Sequence, residues 1–228
     1  MESNRFKWDS TDLERILSGK PILPKKIQVN PEGYCNHDCI FCMYRNAGFD
    51  QEDLKYFRED WIKDGKQRLT PGKSGWSPKV ARALCEDINS LGIKEVEITG
   101  NGEPMAHPNI FSIFDALNRG DSKITLVTNG THLREVVPYT THNWEYVRVS
   151  VNAGSRDTYY KVHQRDLFDK TLKDTVQFHQ ESKVPCYISY CVIPENWQEI
   201  VSFTQKAKEL GLQGIKFIGF LELEDRIF

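Results

Sequence analysis

The chain has 228 residues, which is enough for one domain with a substantial core. Its composition (39% hydrophobic, 27% charged) and net charge of −2 are those of an ordinary globular protein, and they exclude nucleic acid and an anionic membrane as obligatory partners. No apolar run approaches a membrane span, and the charged N-terminus lacks the apolar core of a signal peptide. We therefore expect a protein of the reducing cytoplasm, where clustered cysteines bind metal more often than they pair.

Strands and helices are predicted to alternate along the chain. The predicted strands are Lys25–Val29, Lys94–Thr99, Lys123–Thr128, Tyr146–Asn152, Pro185–Ile193 and Ile215–Phe220. The predicted helices are Gln51–Lys63 within an otherwise irregular segment, Pro78–Ser90, Asn109–Asn118, Thr131–Val137, a long stretch ending near Ser182, and Trp197–Leu210. This alternation predicts parallel strands with right-handed helical crossovers. An open doubly wound sheet and a barrel both satisfy the pattern.

The helix after Ser77 has the clearest end signals. Ser77 is predicted to be its N-cap, with Pro78 at the first helical position and Gly92 just beyond its end. Val80, Leu84 and Ile88 are predicted to lie on one face of this helix.

Three cysteines follow the first predicted strand in the run CNHDCIFC. Cys35, Cys39 and Cys42 have the spacing C-x3-C-x2-C, and three thiolates this close can converge on one metal centre. A four-iron cubane takes four ligands, so one iron would stay open to a non-protein ligand, which is typical of a reactive site. His37 and Asp38, between the first two cysteines, are expected to be exposed loop residues rather than ligands. The composition allows a zinc site of His37 with the three thiolates, but His37 lies too close to its neighbours in the loop to converge on one ion easily.

The other cysteines, Cys85, Cys186 and Cys191, lie on helical or apolar strand patterns. We expect them to be small buried hydrophobic residues. The alternative is that one of them is the fourth ligand of a closed cluster.

Polar segments follow four predicted strands, at the edge where parallel α/β proteins bind ligands. They are the cysteine loop, the turn GNGEP from Gly100 to Pro104, the turn TNG from Thr128 to Gly130, and the strand end with Ser150 and Asn152. The glycines allow a ligand to approach the backbone, and Glu103 can accept from an ammonium group. A dinucleotide-binding motif, G-x-G-x-x-G, would need glycine at position 105, where the chain has Met105. The sequence therefore gives little support to a dinucleotide site at this turn.

These motifs together resemble the radical S-adenosylmethionine (radical SAM) superfamily, from about Ile27 to Phe220. The cysteine spacing is similar to the cluster loop of that family, and GNGEP is similar to its GGEP motif. The stretch RVSVNAGSRDTYYKVHQRDLFDKTL looks like members that carry a C-terminal SPASM-type auxiliary-cluster domain, although no second cysteine cluster follows here. The resemblance implies a partial (β/α)6 TIM-like barrel, with residues 1–24 as an N-terminal extension and 25–228 as the core domain.

The resemblance also implies cofactors and roles. Cys35, Cys39 and Cys42 would hold a [4Fe–4S] cluster, and SAM would bind the open iron, with Gly100, Gly102 and Glu103 lining its amino-group site. Ser150 and Asn152 would contact the ribose or, alternatively, cap the following helix. Phe41 would pack near the cluster and adenine, or be a core aromatic.

The implied reaction is the one-electron cleavage of SAM, which gives a 5′-deoxyadenosyl radical for hydrogen abstraction. It requires an external reductant of the flavodoxin or ferredoxin type. The substrate is unknown, with a peptide favoured, and Arg148, Tyr190 and Lys216 are candidate substrate-facing residues. The alternative functions are a non-catalytic iron–sulfur or zinc-binding scaffold and an electron-transfer module with a closed cluster.

Overall fold

Six parallel strands form one sheet in which the order in space follows the order in the chain. The computed structural model describes residues 10–42, 44, 62–63, 66–67 and 75–219, with the backbone alone for 62–63 and 66–67. The strands of the sheet are β1 Lys26–Val29, β2 Glu95–Ile98, β3 Lys123–Thr128, β4 Trp144–Ser150, β5 Cys186–Val192 and β6 Gly214–Gly219. A separate antiparallel pair joins Ile62–Lys63 to Lys66–Gln67.

One described helix, α1 Ser10–Leu17, precedes β1. The described helices in the connections between strands are α2 Pro78–Leu91, α3 Ile110–Leu117, α4 Arg156–His163, α5 Phe168–Ser182 and α6 Ile200–Glu209. The same part of the chain has short 3-10 helices at Pro104–Ala106, Leu133–Tyr139 and Trp197–Glu199. None of the described helices is long and apolar enough to span a membrane.

The sequential strand order distinguishes between the two architectures that the sequence left open. A doubly wound sheet reverses its strand order at a switch point, and this sheet has no reversal from β1 to β6. The prediction of a partial (β/α)6 barrel of the TIM-like type is therefore confirmed, as an open sheet with its strands in barrel order.

The two faces of the sheet differ in polarity because side chains alternate along each strand. Val147, Val149 and Val151 are fully buried in the core with the helices, as predicted. The opposite face, here called the polar face, carries Thr125, Arg148, Ser150, Tyr187, Ser189 and Lys216, which are paired in register across neighbouring strands.

Helix α2 shows how local signals set its ends. The Ser77 hydroxyl accepts a hydrogen bond from the Val80 N–H, and Gly92 ends the helix in the left-handed conformation with φ 67°. Of the three residues predicted to share one face, Ile88 is buried and Leu84 packs against the core, whereas Val80 is 51% exposed; Ala81 and Cys85 are buried with Ile88.

Two other predicted helices differ from the structure. The long helix predicted to end near Ser182 is two helices, because Gln164 adopts φ 55° and ends α4. The helix predicted at Thr131–Val137 is a 3-10 helix that begins at Leu133. The helix predicted at Gln51–Lys63 lies outside the described residues except for its last two, which are in a short strand.

Candidate functional site

The cysteine loop, residues Cys35 to Cys42, leaves the sheet at the carboxyl end of β1. Its three thiols are half-buried. The His37 N–H and the Asn129 amide donate to Cys35 Sγ over 3.4 and 3.9 Å, and the Cys42 N–H donates to the Cys39 carbonyl over 3.1 Å. N–H groups directed at a sulfur stabilise a thiolate, which is the form that binds metal.

The other three cysteines are in less accessible surroundings. Burial raises the pKa of Cys85 to about 11 and that of Cys186 to about 12, and it raises the pKa of Cys191 as well. Cys85 and Cys186 are buried in the core, as predicted, whereas Cys191 is only half-buried. The raised pKa values favour the protonated thiol, which is not the metal-binding form.

The last turn of α4 holds the cysteine loop in place. The N–H groups of Asp38 and Ile40 donate to the carbonyls of His163 and Val162 over 3.3 and 2.9 Å, and Arg165 Nε donates to the Asn36 carbonyl over 2.8 Å. The last carbonyls of a helix have no partner within it, and here the loop supplies partners for them.

The GNGEP turn packs directly against the residues that lead into the cysteine loop. The Gly102 N–H donates to the Glu32 carbonyl over 3.2 Å, and the Glu103 N–H donates to the Tyr34 carbonyl over 2.8 Å. A Cβ atom on Gly102 would lie 2.2 Å from the Tyr34 carbonyl oxygen and 2.5 Å from the carbonyl carbon of Gly33. This close approach of two backbones requires glycine at position 102.

Glu103 joins the ends of β2 and β3. Its buried carboxylate accepts from the Thr128 hydroxyl over 2.5 Å, from the Asn129 N–H over 2.7 Å and from the Met105 N–H over 3.1 Å. Burial raises the pKa of this carboxyl, and the three donors oppose that shift. The predicted contact between Glu103 and an amino group stays a prediction.

The end of β4 carries the two residues predicted to meet a ribose. Ser150 is half-buried on the polar face, next to Ser189 of β5. Asn152 is buried with φ 51°; its Oδ1 accepts from the Cys191 N–H over 2.6 Å, and its Nδ2 lies 3.3 Å from His163 Nε2. The ribose contact stays a prediction for both residues, and the observed contacts of Asn152 join β4 to β5 and α4.

His37 was predicted to be exposed, and this prediction was wrong, because only 1% of it is accessible. Its Nε2 lies 3.0 Å from the Thr131 hydroxyl and its Nδ1 lies 3.2 Å from Nδ1 of His163. Asp38, the other residue predicted to be exposed, is exposed.

His163 is a site residue that the sequence analysis missed. Its Nδ1 lies 3.2 Å from Cys39 Sγ, its Nε2 lies 2.8 Å from the Val151 carbonyl oxygen, and its ring stacks on Tyr159. Phe41 meets the same imidazole edge to face at 6.3 Å between ring centroids. Burial lowers the pKa of His163 to about 4, which favours the neutral imidazole.

The candidate substrate-facing residues divide between the two faces of the sheet. Arg148 and Lys216 lie on the polar face, Arg148 half-buried and Lys216 exposed. Tyr190 lies on the other face: it is fully buried, donates to the Asn196 carbonyl over 2.8 Å and packs on Phe203. Tyr190 is therefore a core residue, and its assignment as substrate-facing was wrong.

Comparisons with known sequences agree with the motifs. The Radical SAM superfamily profile matches residues 29–207. A Saccharolobus solfataricus protein named "Probable GTP 3',8-cyclase" is 24% identical over 202 residues, which cover 88% of this chain and 58% of that protein. A protein of the same name from Methanothermobacter marburgensis is 26% identical over 153 residues, covering 66% of this chain and 42% of that one. The chain thus spans 58% of the length of the first relative and 42% of the second.

Solved structures with the same fold cover most of the chain. Streptococcus suis SuiB bound to S-adenosylmethionine has a TM-score of 0.68 and 16% identity, covering 93% of this chain and 44% of SuiB. The protein anSMEcpe with bound AdoMet has a TM-score of 0.65 and 16% identity, covering 88% of this chain and 52% of that one. At such identities the likeness is one of fold.

Proposed function

Because the chain belongs to the radical SAM superfamily, we propose that it is an enzyme that cleaves SAM at a [4Fe–4S] cluster held by Cys35, Cys39 and Cys42. Members of this superfamily use this cluster and SAM as cofactors, and neighbouring structures contain AdoMet. Once bound, the pair supplies a 5′-deoxyadenosyl radical for hydrogen abstraction from a substrate. The three half-buried thiols, with N–H groups directed at Cys35, suit such a cluster in number and chemistry.

The observation that carries this proposal is the contact between the GNGEP turn and the residues that lead into the cysteine loop. The N–H groups of Gly102 and Glu103 donate to carbonyls of the segment that leads into Cys35. A ligand of the loop's metal centre would therefore meet the backbone of this turn as well. Gly100 and Gly102 let the turn approach the backbone of residues 32–34 closely, and Glu103 fixes the turn.

The remaining proposed roles belong to the surroundings of the loop. Phe41 packs on His163 next to Cys39, where it would exclude water from the cluster. Ser150 and Asn152, at the end of β4, would orient the ribose. The protein would work in the reducing cytoplasm, where free thiols such as these persist, with an external one-electron donor of the flavodoxin or ferredoxin type.

The substrate would bind on the polar face of the sheet, where Arg148 and Lys216 lie. The curated relatives are named for GTP, whereas one structural neighbour was solved with its precursor peptide. A peptide and a nucleotide are thus the two substrate classes to test. We retain the assignment of residues 25–228 as the core domain and 1–24 as an extension.

The test is anaerobic reconstitution with iron and sulfide, followed by SAM and dithionite. The wild-type chain should release 5′-deoxyadenosine, detected by mass spectrometry, and the variants Cys35→Ala, Cys39→Ala and Cys42→Ala should release none. Cys85→Ala is the matched control, because this buried cysteine lies in α2, outside the loop. A Cys39→Ala protein that cleaves SAM at the wild-type rate would overturn the proposal.

The same preparation separates the enzyme from a closed electron-transfer cluster. A cluster with an open iron should change its EPR spectrum when SAM is added, because SAM becomes a ligand. A closed cluster with Cys191 or another fourth ligand would give the same spectrum with and without SAM.

A further inference from the structure

We propose that His37, Cys39 and His163 form a binding site for one divalent transition-metal ion of the zinc type, and that this ion competes with the cluster for Cys39. The three ligand atoms all lie within 4.8 Å of one another. The metal site itself does not depend on the proposed function, whereas the competition does. The site shares only Cys39 with the three proposed cluster ligands.

The distances suit a tetrahedral ion. His163 Nδ1 lies 3.2 Å from His37 Nδ1 and 3.2 Å from Cys39 Sγ. Zinc bonds of about 2.05 Å to nitrogen and about 2.3 Å to sulfur, at tetrahedral angles, separate two nitrogens by about 3.3 Å and a nitrogen from the sulfur by about 3.5 Å. These two pairs would need to move only a few tenths of an ångström, and the third pair, His37 and Cys39, lies within 4.8 Å.

The contacts of Nε2 in each histidine, the nitrogen that would not bind the metal, support the same assignment. A metal-binding histidine usually donates its other N–H to an oxygen, which fixes the tautomer and the ring. His163 Nε2 lies 2.8 Å from the Val151 carbonyl, and His37 Nε2 lies 3.0 Å from the Thr131 hydroxyl. Both rings therefore have an oxygen next to Nε2, and their Nδ1 atoms lie 3.2 Å from each other.

Binding is a simple exchange of a proton for the metal. The Cys39 S–H bond breaks, its proton leaves to solvent, and the sulfur binds the ion; no electron is transferred. Each imidazole binds through the lone pair of Nδ1 while keeping its proton on Nε2. The two histidines are buried and Cys39 is half-buried, so the fourth position of the ion would lie on the accessible side and take water.

Cobalt(II) is the probe, because a tetrahedral thiolate site gives intense visible bands and a thiolate-to-cobalt charge-transfer band in the near ultraviolet. The reduced, chelator-treated full chain should bind one equivalent with both features, and Zn²⁺ should displace it. His37→Gln and His163→Gln should each weaken binding by at least about tenfold. Cys39→Ser should abolish the charge-transfer band.

Matched variants separate this site from the cluster ligands. Cys35→Ser and Cys42→Ser should keep the charge-transfer band, as should His142→Gln, an exposed histidine outside the site. A band that is unchanged in His163→Gln, or that is lost equally in Cys42→Ser and Cys39→Ser, would overturn the site. The buried histidine variants are checked for folding by circular dichroism. If the histidine variants unfold, the charge-transfer bands of Cys39→Ser and Cys42→Ser still test the site. The two variants are matched, because both thiols are half-buried.

Competition is measured by adding one equivalent of Zn²⁺ before iron and sulfide. Cluster absorbance should then appear more slowly in the wild type, and the delay should vanish in His163→Gln. An unchanged rate in the wild type would overturn the competition. A cluster that never forms, even without zinc, would contradict the proposed function and leave the cobalt result standing.

Discussion

Gly102 lies at the point where the GNGEP turn and the lead-in to the cysteine loop approach most closely. A Cβ atom there would lie 2.2 Å from the Tyr34 carbonyl oxygen, and because that oxygen belongs to the backbone, the loop itself would have to move. We expect Gly102→Ala to lower the free energy of unfolding by about 1–3 kcal/mol, the usual cost of overpacking. Urea unfolding followed by circular dichroism measures this.

Gly219→Ala is the control, because a Cβ atom on Gly219 meets no atom of the described residues within 4 Å. It should change the free energy of unfolding by less than about 0.5 kcal/mol. Equal urea midpoints for the two variants would contradict the argument that Gly102 is required by the contact between the two backbones.

Glu103 has an observed structural role as well as the role in ligand binding that its sequence motif predicts. The sequence indicated an acceptor for an ammonium group, and the structure gives the carboxylate three donors from Met105, Thr128 and Asn129. A carboxylate has about four acceptor positions, so three donors leave room for one further partner. Its structural role and its proposed role in binding SAM are therefore compatible.

At the scale of elements, helix ends could be predicted where they depend on local chemistry. Ser77 and Gly92 bound α2 as predicted, because a side-chain cap and a left-handed glycine act within a few residues. The end of α4 could not be predicted, because Gln164 carries no such signal. The approach of His163 to Cys39 could not be predicted either, because these residues are 124 positions apart and are joined by the fold alone.

The end of α4 also gives a prediction about stability. Gln164 has φ 55°, a left-handed conformation that costs other residues more than glycine. We expect Gln164→Gly to raise the free energy of unfolding by about 0.5–1 kcal/mol, although the bond from its amide to the Lys161 carbonyl is lost. Lys161→Gly, inside the same helix, should instead lower it by about 1 kcal/mol. Urea unfolding of both variants measures the difference, and a destabilised Gln164→Gly protein would contradict the argument.

At the scale of the whole molecule, the sheet has one face that serves stability and one that is available for function. Alternation along β4 predicted both faces, because buried valines alternate with polar residues. The substrate itself could not be predicted, because the same fold supports many reactions and specificity depends on side chains of the polar face. Tyr190 shows the limit of the pattern: an aromatic hydroxyl in a strand suits either face, and here it donates to a backbone carbonyl in the core.

On the polar face, we expect the Arg148 side chain to lower the stability of the fold while it contributes to substrate binding. Its Nε is buried without a hydrogen-bond partner among the residues that the structure describes, and its register neighbours are Val127 and Tyr187. An unsatisfied buried donor costs about 1–3 kcal/mol. We expect Arg148→Met, which keeps the length of the side chain, to unfold at the same or a higher urea concentration than the wild type, while substrate-dependent turnover falls.

The control is Arg134→Met, which removes an exposed ion pair with Glu181 and should lower the free energy of unfolding by no more than about 1 kcal/mol. A large destabilisation of Arg148→Met would show that the guanidinium supports the sheet, and would remove the reason for placing the substrate beside it.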